Sequence, residues 1–100
     1  MKIVAVTACP TGIAHTYMAA DLLCKQAQKM NIHIKVETQG AMGIENQLSV
    51  LDIERADSVL IASDIEIEQP ERFIGCKYKK VSIEAVLTDV SGVLAFCQES

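Results

Sequence analysis

The pattern of hydrophobic and polar positions changes along the chain, from segments typical of strands to segments with the period of a helix. Residues 2–7 form an apolar run with β-branched side chains, which is typical of a strand buried on both faces of a parallel sheet. Over residues 14–30 the apolar positions recur with a helical period. Asp21 and Lys25 are placed i, i+4 on the polar side of this helix, where they are predicted to pair.

A second strand is predicted over residues 32–38. Its charged Lys35 and Glu37 alternate with apolar positions, which indicates a partly exposed face of the kind found at a sheet edge. Two glycines then mark residues 39–46 as a loop beyond the carboxyl end of this strand.

A short helix and a third strand follow. Ser49 and Asp52 have the spacing of a capping box, which predicts a helix that ends near residue 56. Residues 58–62 form the next apolar run, and residues 63–69 are predicted to be a partly acidic loop at its carboxyl end.

The last third of the chain predicts a short strand and further helix. Residues 72–74 are predicted to form a fourth strand at the sheet edge. From Ser82 onward the apolar residues recur with a one-faced helical spacing. Thr88-Asp89 is a candidate second cap that would divide this stretch into two helices, and Gly92 weakens its continuity.

This order of elements predicts an α/β fold, because strands that alternate with helices form parallel sheets through right-handed crossovers. We expect one domain over residues 1–100, a three-layer αβα arrangement whose four-stranded parallel sheet has the Rossmann-like order 2-1-3-4. Ligands of such sheets bind beyond the carboxyl ends of the strands. Residues 8–16, 39–46 and 63–69 should converge there.

Composition narrows the class of function. Half of the 100 residues are hydrophobic and the formal net charge is −4. That charge argues against a nucleic-acid partner, since binding to phosphates needs clustered Lys and Arg. The basic run at residues 77–80 is interpreted as a solvated segment. Neither a signal peptide nor the roughly 20 apolar residues of a spanning helix are present, which predicts a soluble cytoplasmic protein without membrane insertion.

The four cysteines have no C-x-x-C spacing, and neither histidine pairs with one at a zinc-site distance. We therefore expect no metal site, and no disulfides in a cytoplasmic chain. Cys24, Cys76 and Cys97 are interpreted as small buried hydrophobic residues. Cys9 differs because it lies between the end of a strand and the start of a helix.

The position of Cys9 favours an anion. Unpaired backbone N–H groups at a helix start carry partial positive charge, which stabilises a thiolate or a phosphate. Such a position lowers the pKa of a cysteine from about 8.5 into a range of roughly 3.5–7.5. Gly12 allows close backbone approach, while Thr11, His15 and Thr16 can donate hydrogen bonds to phosphate oxygens. The stretch suits a thiolate that attacks phosphorus, and a buried cysteine at a tight turn is the alternative.

The spacing of this loop is similar to that of low-molecular-weight protein tyrosine phosphatases, in which Cys is followed by five residues, then Arg, then Ser or Thr. Here Cys9 is followed by five residues, then His15 and Thr16. Arg55 and Arg72 lie elsewhere in the chain. Hydrolysis needs strong stabilisation of the transferred phosphoryl charge, usually by a bidentate Arg, so this difference favours a reversible carrier over a phosphatase.

One family is resembled along essentially the whole chain. The resemblance begins with KIVAVTACPTGIAHTYMAA at residues 2–20, which is similar to the opening of the fructose-type IIB components of the bacterial phosphoenolpyruvate-dependent sugar phosphotransferase system. It continues with IKVETQG at residues 34–40 together with Gly43 and Asn46, with residues 56–57 and 62–65, and with Arg-Phe at residues 72–73. The last twenty or so residues match least.

The resemblance implies that Cys9 is a phosphocysteine site and that the chain is a protein-phosphocysteine–sugar phosphotransferase without a metal or diffusible cofactor. It implies three participants: a IIA component that donates from a phosphohistidine, a membrane-embedded IIC transporter, and a sugar held only by IIC, with fructose as the default. The implied phosphate-binding residues are Pro10, Thr11, Gly12, Ile13, Ala14, His15 and Thr16.

Two other functions stay open at this level. One is a thiol enzyme similar to a low-molecular-weight tyrosine phosphatase or an arsenate reductase. The other is a regulatory module whose phosphorylation state is read by another protein. Rapid release of free phosphate without a sugar acceptor would favour the phosphatase.

Overall fold

A computed structural model describes residues 1–9, 13–40 and 43–99, with Ile13 described by its backbone only. A central sheet is flanked by helices. In chain order the elements are β1 (Lys2–Ala8), α1 (Ile13–Lys29), β2 (His33–Gly40), β3 (Gly43–Glu45), α2 (Val50–Arg55), β4 (Ser58–Ser63), a 3₁₀ helix (Pro70–Phe73), β5 (Lys79–Val81), α3 (Ile83–Thr88) and α4 (Val90–Gln98).

The five-stranded sheet has the order β3-β2-β1-β4-β5, with β1 at its centre. β1 pairs in parallel with β2 and β4, β4 pairs in parallel with β5, and β3 is antiparallel to β2. The predicted α/β class is confirmed. The arrangement β2-β1-β4 matches the first three strands of the predicted order 2-1-3-4. The predicted count of four and the wholly parallel sheet are wrong, because β3 adds an antiparallel edge and the other edge is β5 rather than residues 72–74.

The segment that follows β2 differs from its prediction. Part of the predicted loop at residues 39–46 forms β3, which starts at Gly43 with a φ of +86°. Glycine reaches such a backbone conformation without the penalty that a Cβ atom imposes. Because β3 pairs with Thr38, Gln39 and Gly40, the carboxyl-terminal part of β2 is an inner strand rather than an edge. Lys35 is exposed, as predicted, but Glu37 is completely buried.

The predicted fourth strand at residues 72–74 is wrong. Its first two residues belong to the 3₁₀ helix, which starts with Pro70, whose missing N–H suits the first position of a helix. Arg72 turns its side chain inward, and Gly75, with a φ of +81°, redirects the chain. The basic run at residues 77–80 is largely exposed, in agreement with its interpretation as a solvated segment, and its last two residues start β5, where Lys79 donates to two carbonyl groups at the end of α4.

Each face of the sheet carries a hydrophobic core. Alternate residues of a strand point to opposite faces, so Ile3 and Ala5 pack beneath α1, α3 and α4, whereas Val4 and Val6 pack beneath α2 and the 3₁₀ helix. We name these sides the α1 face and the α2 face. Helices on both faces confirm the predicted three-layer arrangement.

Two helix starts follow the caps predicted from the sequence. At α2, Ser49 Oγ accepts from the Asp52 N–H at 3.0 Å and Asp52 Oδ2 accepts from the Ser49 N–H at 2.9 Å, which completes the capping box. At α4, Asp89 Oδ1 accepts from the Gly92 N–H at 3.2 Å. Asp89 therefore divides the last helical stretch as predicted.

The longest helix, α1, is amphipathic. Leu23 and Ala27 are completely buried on its inner side, and the predicted ion pair joins Lys25 Nζ to the Asp21 carboxylate at 2.9 Å on its outer side. Neither α1 nor any other helix in the described ranges has the length and apolar character needed to cross a membrane.

The cysteines outside the first loop differ in burial. Cys97 is buried, as predicted, and Cys76 is half-buried. The prediction for Cys24 is wrong, because this residue is exposed. Cys24 follows the buried Leu23 by one helical position, a rotation of about 100° that turns it away from the sheet.

Candidate functional site

Cys9 lies at the carboxyl edge of the sheet, directly after the last residue of β1. That residue, Ala8, is in register with Gln39 of β2 and with Ser63 of β4. The carboxyl ends of three parallel strands therefore lie side by side next to Cys9, as the sequence predicts. The Cys9 side chain is half-buried and packs against the core of the α1 face.

The helix α1 begins at Ile13, soon after Cys9 in the chain. Because α1 has 17 residues, its aligned peptide dipoles place partial positive charge at this end. Its first turn has no acidic side chain to offset that charge, and Lys29 lies at the opposite end. The start of α1 is thus an electropositive region suited to an anion.

The structure describes only part of the predicted phosphate-binding loop. Outside the described residues lie Pro10, Thr11 and Gly12. Of Ile13 only the backbone is described, at the first position of α1. Ala14 and His15 follow in the first turn and are exposed. The imidazole of His15 is therefore accessible to a ligand that approaches this end of α1.

Thr16 connects α1 to the central strand. Its backbone carbonyl accepts a hydrogen bond from Thr7 Oγ1 at 3.2 Å, and both residues are buried. Thr16 Oγ1 is also buried and has no hydrogen-bond partner among the described residues. Burying a hydroxyl without a hydrogen bond costs about 1–3 kcal/mol of folding free energy. Among the described residues, Thr16 therefore has a hydroxyl in the first turns of α1 that is available to a ligand.

Tyr17 ties the same part of α1 to the sheet edge. Its hydroxyl donates a hydrogen bond to Oε1 of Glu45, the last residue of β3. This hydrogen bond raises the pKa of the Tyr17 hydroxyl above its ordinary value. The start of α1 is consequently fixed to β1 through Thr16 and to β3 through Tyr17.

A polar network that was not predicted from the sequence lies on the α2 face of the sheet, centred on Glu37 of β2. The completely buried Glu37 carboxylate accepts hydrogen bonds from Arg72 Nη1 at 2.6 Å and Nη2 at 3.0 Å. It also accepts from the Leu48 N–H at 2.8 Å and from Gln39 Nε2 at 2.7 Å. Burial alone would raise the pKa of Glu37, but these hydrogen bonds outweigh it and lower that pKa.

Gln39 and Arg72 extend this network to the loop after β4. Gln39 Nε2 donates to the Glu68 carbonyl at 3.1 Å, and Gln39 Oε1 accepts from the Glu68 N–H at 2.7 Å. Arg72 donates to the carbonyls of Leu48 at 2.8 Å, Glu68 at 3.2 Å and Gln69 at 3.0 Å. These contacts confirm that the segments following β2 and β4 meet.

A signal for this network exists in the sequence. Glu37 and Gln39 are polar, lie two residues apart and so share one side of a strand. Their partner Arg72 is 35 residues beyond Glu37, which leaves no local signature of the pairing. The other arginine, Arg55, is exposed at the end of α2. Within the described ranges, no group of three or more His, Cys, Asp and Glu side chains is placed to hold a metal ion.

The fold and the site define a class of protein: a three-layer α/β domain with a cysteine where the central strand passes into the longest helix. Residues 4–96 match the family model described as "PTS system, Lactose/Cellobiose specific IIB subunit". The chain is 44% identical over 94 residues to the PTS system fructose-like EIIB component 2 of Escherichia coli K12, covering 94% of this chain and 89% of that protein.

A second relative is a longer protein. The chain is 49% identical over 84 residues to the PTS system fructose-specific EIIABC component of Bacillus subtilis 168, covering 84% of this chain and 13% of that protein. Among solved structures, a crystal structure of a predicted fructose-specific IIB from Escherichia coli superposes with a TM-score of 0.90 at 45% identity, over 97% of this chain and 86% of that one.

The chain therefore belongs to the PTS IIB family and is a fructose-type IIB component, a phosphoryl carrier of the sugar phosphotransferase system. The resemblance noted from the sequence is confirmed. As a IIB component it is a phosphotransferase of that system.

Proposed function

We propose that Cys9 carries the phosphoryl group of this IIB component, accepting it from a phosphohistidine of a IIA component and passing it to a sugar held by a membrane-embedded IIC component. The observation that carries this proposal is the position of Cys9, half-buried between the end of β1 and the start of α1. A nucleophile there has an electropositive helix end beside it and the open edge of the sheet above it.

In the first step the Cys9 thiolate attacks the phosphorus in line with the bond to the histidine nitrogen. The S–P bond forms as the N–P bond breaks, and the electron pair of that bond stays on the imidazole nitrogen. Positive potential at the start of α1 favours the thiolate over the thiol, which a cysteine of ordinary acidity forms only to a few per cent at neutral pH.

In the second step a sugar hydroxyl attacks the phosphorus of phosphocysteine. The O–P bond forms, the S–P bond breaks with its electron pair left on Cys9 Sγ, and the hydroxyl proton is released to a base or solvent on the transporter side. The environment that stabilises the thiolate as a nucleophile also stabilises it as a leaving group, so one site serves both steps.

The phosphoryl oxygens meet the first turns of α1 in both steps. Backbone N–H groups at this helix end donate to them, and the exposed imidazole of His15 adds a further donor. Thr16 Oγ1, which has no hydrogen-bond partner within the described part of the chain, supplies a hydroxyl. These contacts fall on the part of the predicted loop that the structure describes. Pro10, Thr11 and Gly12 complete the loop in this proposal.

The proposed partners and sugar are supported by the relatives. The Bacillus subtilis protein is named an EIIABC component, and the matching region spans only 13% of its length. We therefore propose that this chain works with IIA and IIC components and acts on the cytoplasmic side of the membrane. The Escherichia coli relative is named fructose-like, which supports fructose or a fructose-like sugar as the acceptor.

The direct test is transfer of a radiolabelled phosphoryl group from a phosphorylated IIA component to this chain. We expect label on wild-type protein and none on Cys9→Ser. The matched control is Cys24→Ser, which removes an exposed thiol on α1 and should accept label like wild type. Addition of membranes containing the IIC component and fructose should then move the label to sugar phosphate.

Two results would contradict this proposal. Label retained by Cys9→Ser, or bound with the acid lability of phosphohistidine, would place the carrier elsewhere in the chain. Rapid release of inorganic phosphate from wild-type protein in the absence of a sugar acceptor would favour the phosphatase.

A further inference from the structure

The hydrogen-bond network around Glu37 fixes the backbone of two loops, a role that goes beyond stabilising the fold. Replacing a buried ion pair by apolar residues of similar volume is often neutral or stabilising, so packing alone does not account for a buried Glu37–Arg72 pair. The network bonds the N–H and C=O of Leu48, the N–H and C=O of Glu68 and the C=O of Gln69. All these groups lie in segments between regular elements.

These segments flank the candidate nucleophile. β1 lies between β2 and β4 in the sheet, so the side chains of Gln39 and Arg72 connect chain segments on its two sides. Ala8, the residue before Cys9, is in register with Gln39 itself. A macromolecule that reaches Cys9 at this edge therefore meets the segments that the network holds.

Their outward side chains are available to a partner. With the Glu68 peptide bonded on both its N–H and its carbonyl side, the loop at residues 64–69 turns Ile65, Glu66 and Glu68 to solvent. The segment at residues 46–49 exposes most of its side chains as well. Ordering flexible loops on binding costs free energy, and loops that are already ordered avoid that loss.

We propose that Gln39 and Arg72, anchored by Glu37, are positioning residues for phosphoryl transfer: they hold residues 46–49 and 64–69 in the arrangement that a phosphorylated IIA protein contacts when it presents its phosphohistidine to Cys9. The inference rests on the proposed carrier role of Cys9. The three side chains touch neither the phosphoryl group nor Cys9 in this proposal and act through the two loops.

The test compares two rates in each variant, all built in the Cys24→Ser background to remove the exposed thiol, and Cys9 is followed on its own peptide because Cys76 is also half-buried. One is single-turnover transfer from phosphorylated IIA protein as a function of its concentration. The other is alkylation of Cys9 by iodoacetamide, a reagent too small to need the loops. The variants are Gln39→Met, which keeps side-chain length without the two Glu68 contacts, and Arg72→Lys, which keeps the charge without the planar fork.

The control is Lys25→Met. Lys25 Nζ pairs with the Asp21 carboxylate at 2.9 Å, and both residues lie on the outer side of α1, on the opposite face of the sheet from the network. The variant therefore removes an ion pair that takes no part in holding residues 46–49 or 64–69. Thermal unfolding of each variant identifies any that fails to fold, and Gln39→Met, with no charge removed, tests the proposal if Arg72→Lys does not fold.

We expect Gln39→Met and Arg72→Lys to raise the half-saturating concentration of phosphorylated IIA protein on the order of tenfold. Cys9 alkylation should change less than about twofold, and Lys25→Met should leave both rates at the wild-type level. An unchanged half-saturating concentration in a folded Gln39→Met variant overturns the inference. Equal loss of transfer and alkylation also overturns it, because the network would then act on Cys9 itself. Failure of wild-type protein to accept label at Cys9 contradicts the carrier role instead.

Discussion

Cys9 and His15 have the spacing at which a phosphatase loop places its cysteine and its arginine. An imidazole offers a single N–H donor in its neutral form and two when protonated, whereas a guanidinium offers a planar fork of five. A fork that grips the transferring phosphoryl group stabilises its attack by water. His15 is exposed at the start of α1, so its replacement changes the chemistry of the loop without disturbing the core.

We predict that His15→Arg gains the ability to hydrolyse phosphocysteine. After loading with radiolabelled phosphoryl group, the variant should release inorganic phosphate faster than wild-type protein in the absence of sugar. His33→Arg is the control, because His33 is also exposed but lies at the amino end of β2. Equal release from the two variants would show that the identity of residue 15 does not separate carrier from hydrolase.

The thiols of Cys9 and Cys24 should differ in acidity. Partial desolvation raises the pKa of the Cys24 thiol, although its side chain is exposed, and the nearby Asp21 carboxylate raises it further. Cys9 faces the opposite influence, the positive end of α1. We predict that alkylation of Cys9 by iodoacetamide reaches half its maximum at a pH about one unit or more below that of Cys24, measured on the separate peptides by mass spectrometry. Coincident midpoints would contradict an electropositive site.

The sequence predicts the role of Cys9 but not that of Glu37, because the two differ in how far along the chain their determining neighbours lie. The position of Cys9 follows from its neighbours, a strand before it and a helix after it, so local patterns suffice. Glu37 is buried because it pairs with Arg72, which is 35 residues distant in the sequence. Read locally, its alternation with apolar positions matches that of an exposed residue, which is what Lys35 on the same side of the strand turns out to be.

At the scale of elements, the caps at Ser49 and Asp89 are predictable because both sides of each interaction lie within three residues. The two shortest strands, β3 and β5, are not predictable in this way. Each has three residues and is stabilised by pairing with a longer neighbour rather than by its own pattern. β5 is further concealed by its lysines, which protect edge strands but mimic a solvated loop.

The junction of α3 and α4 provides a prediction about coupling. A Cβ atom at Gly92 would come within 2.2 Å of Oδ2 of Asp89, the residue whose Oδ1 caps α4. We predict that Gly92→Ala does not stabilise the wild-type protein, because the gain in helix propensity is offset by displacement of the cap. In the Asp89→Ala background the same change should stabilise by up to about 1 kcal/mol.

The measurement is a double-mutant cycle of unfolding free energies in urea. Asp89→Ala alone should cost about 1 kcal/mol through the lost cap. Gln98→Ala, at an exposed position at the end of α4, is the control and should change the unfolding free energy little. Additive effects of Gly92→Ala and Asp89→Ala would show that the cap moves aside freely.

The whole molecule should lose stability in acid. The pKa of Glu37 is lowered in the folded state because its hydrogen bonds outweigh its burial, and the pKa of Asp52 is lowered by hydrogen bonds from the Ser49 N–H and from Lys35. Unfolded Glu and Asp titrate near about 4.3 and 3.9, so below these values the unfolded chain binds more protons than the folded one. The stabilisation is therefore complete above this range and is lost as the pH falls toward the folded-state pKa values.

Glu37→Gln tests this at one position. We predict that it lowers the unfolding free energy at about pH 7 by about 3 kcal/mol, since it leaves Arg72 without its buried partner. It should also make the decline between about pH 5 and pH 3 less steep than in wild-type protein, because one of the groups that causes it is gone. Glu54→Gln, at an exposed position on α2, should reproduce the wild-type curve. An unchanged slope in Glu37→Gln would show that other groups cause the acid transition.

The three-residue strands at both borders of the sheet have a consequence for crowded cells. A foreign strand that docks on a sheet gains hydrogen bonds in proportion to the length of unpaired backbone it finds, and here β3 and β5 offer little, with lysines on β5. The long strand β1 is enclosed on both sides by β2 and β4, and β3 covers the last three residues of β2. Growth of the sheet into fibrils by addition of a strand to β3 or β5 is thereby disfavoured.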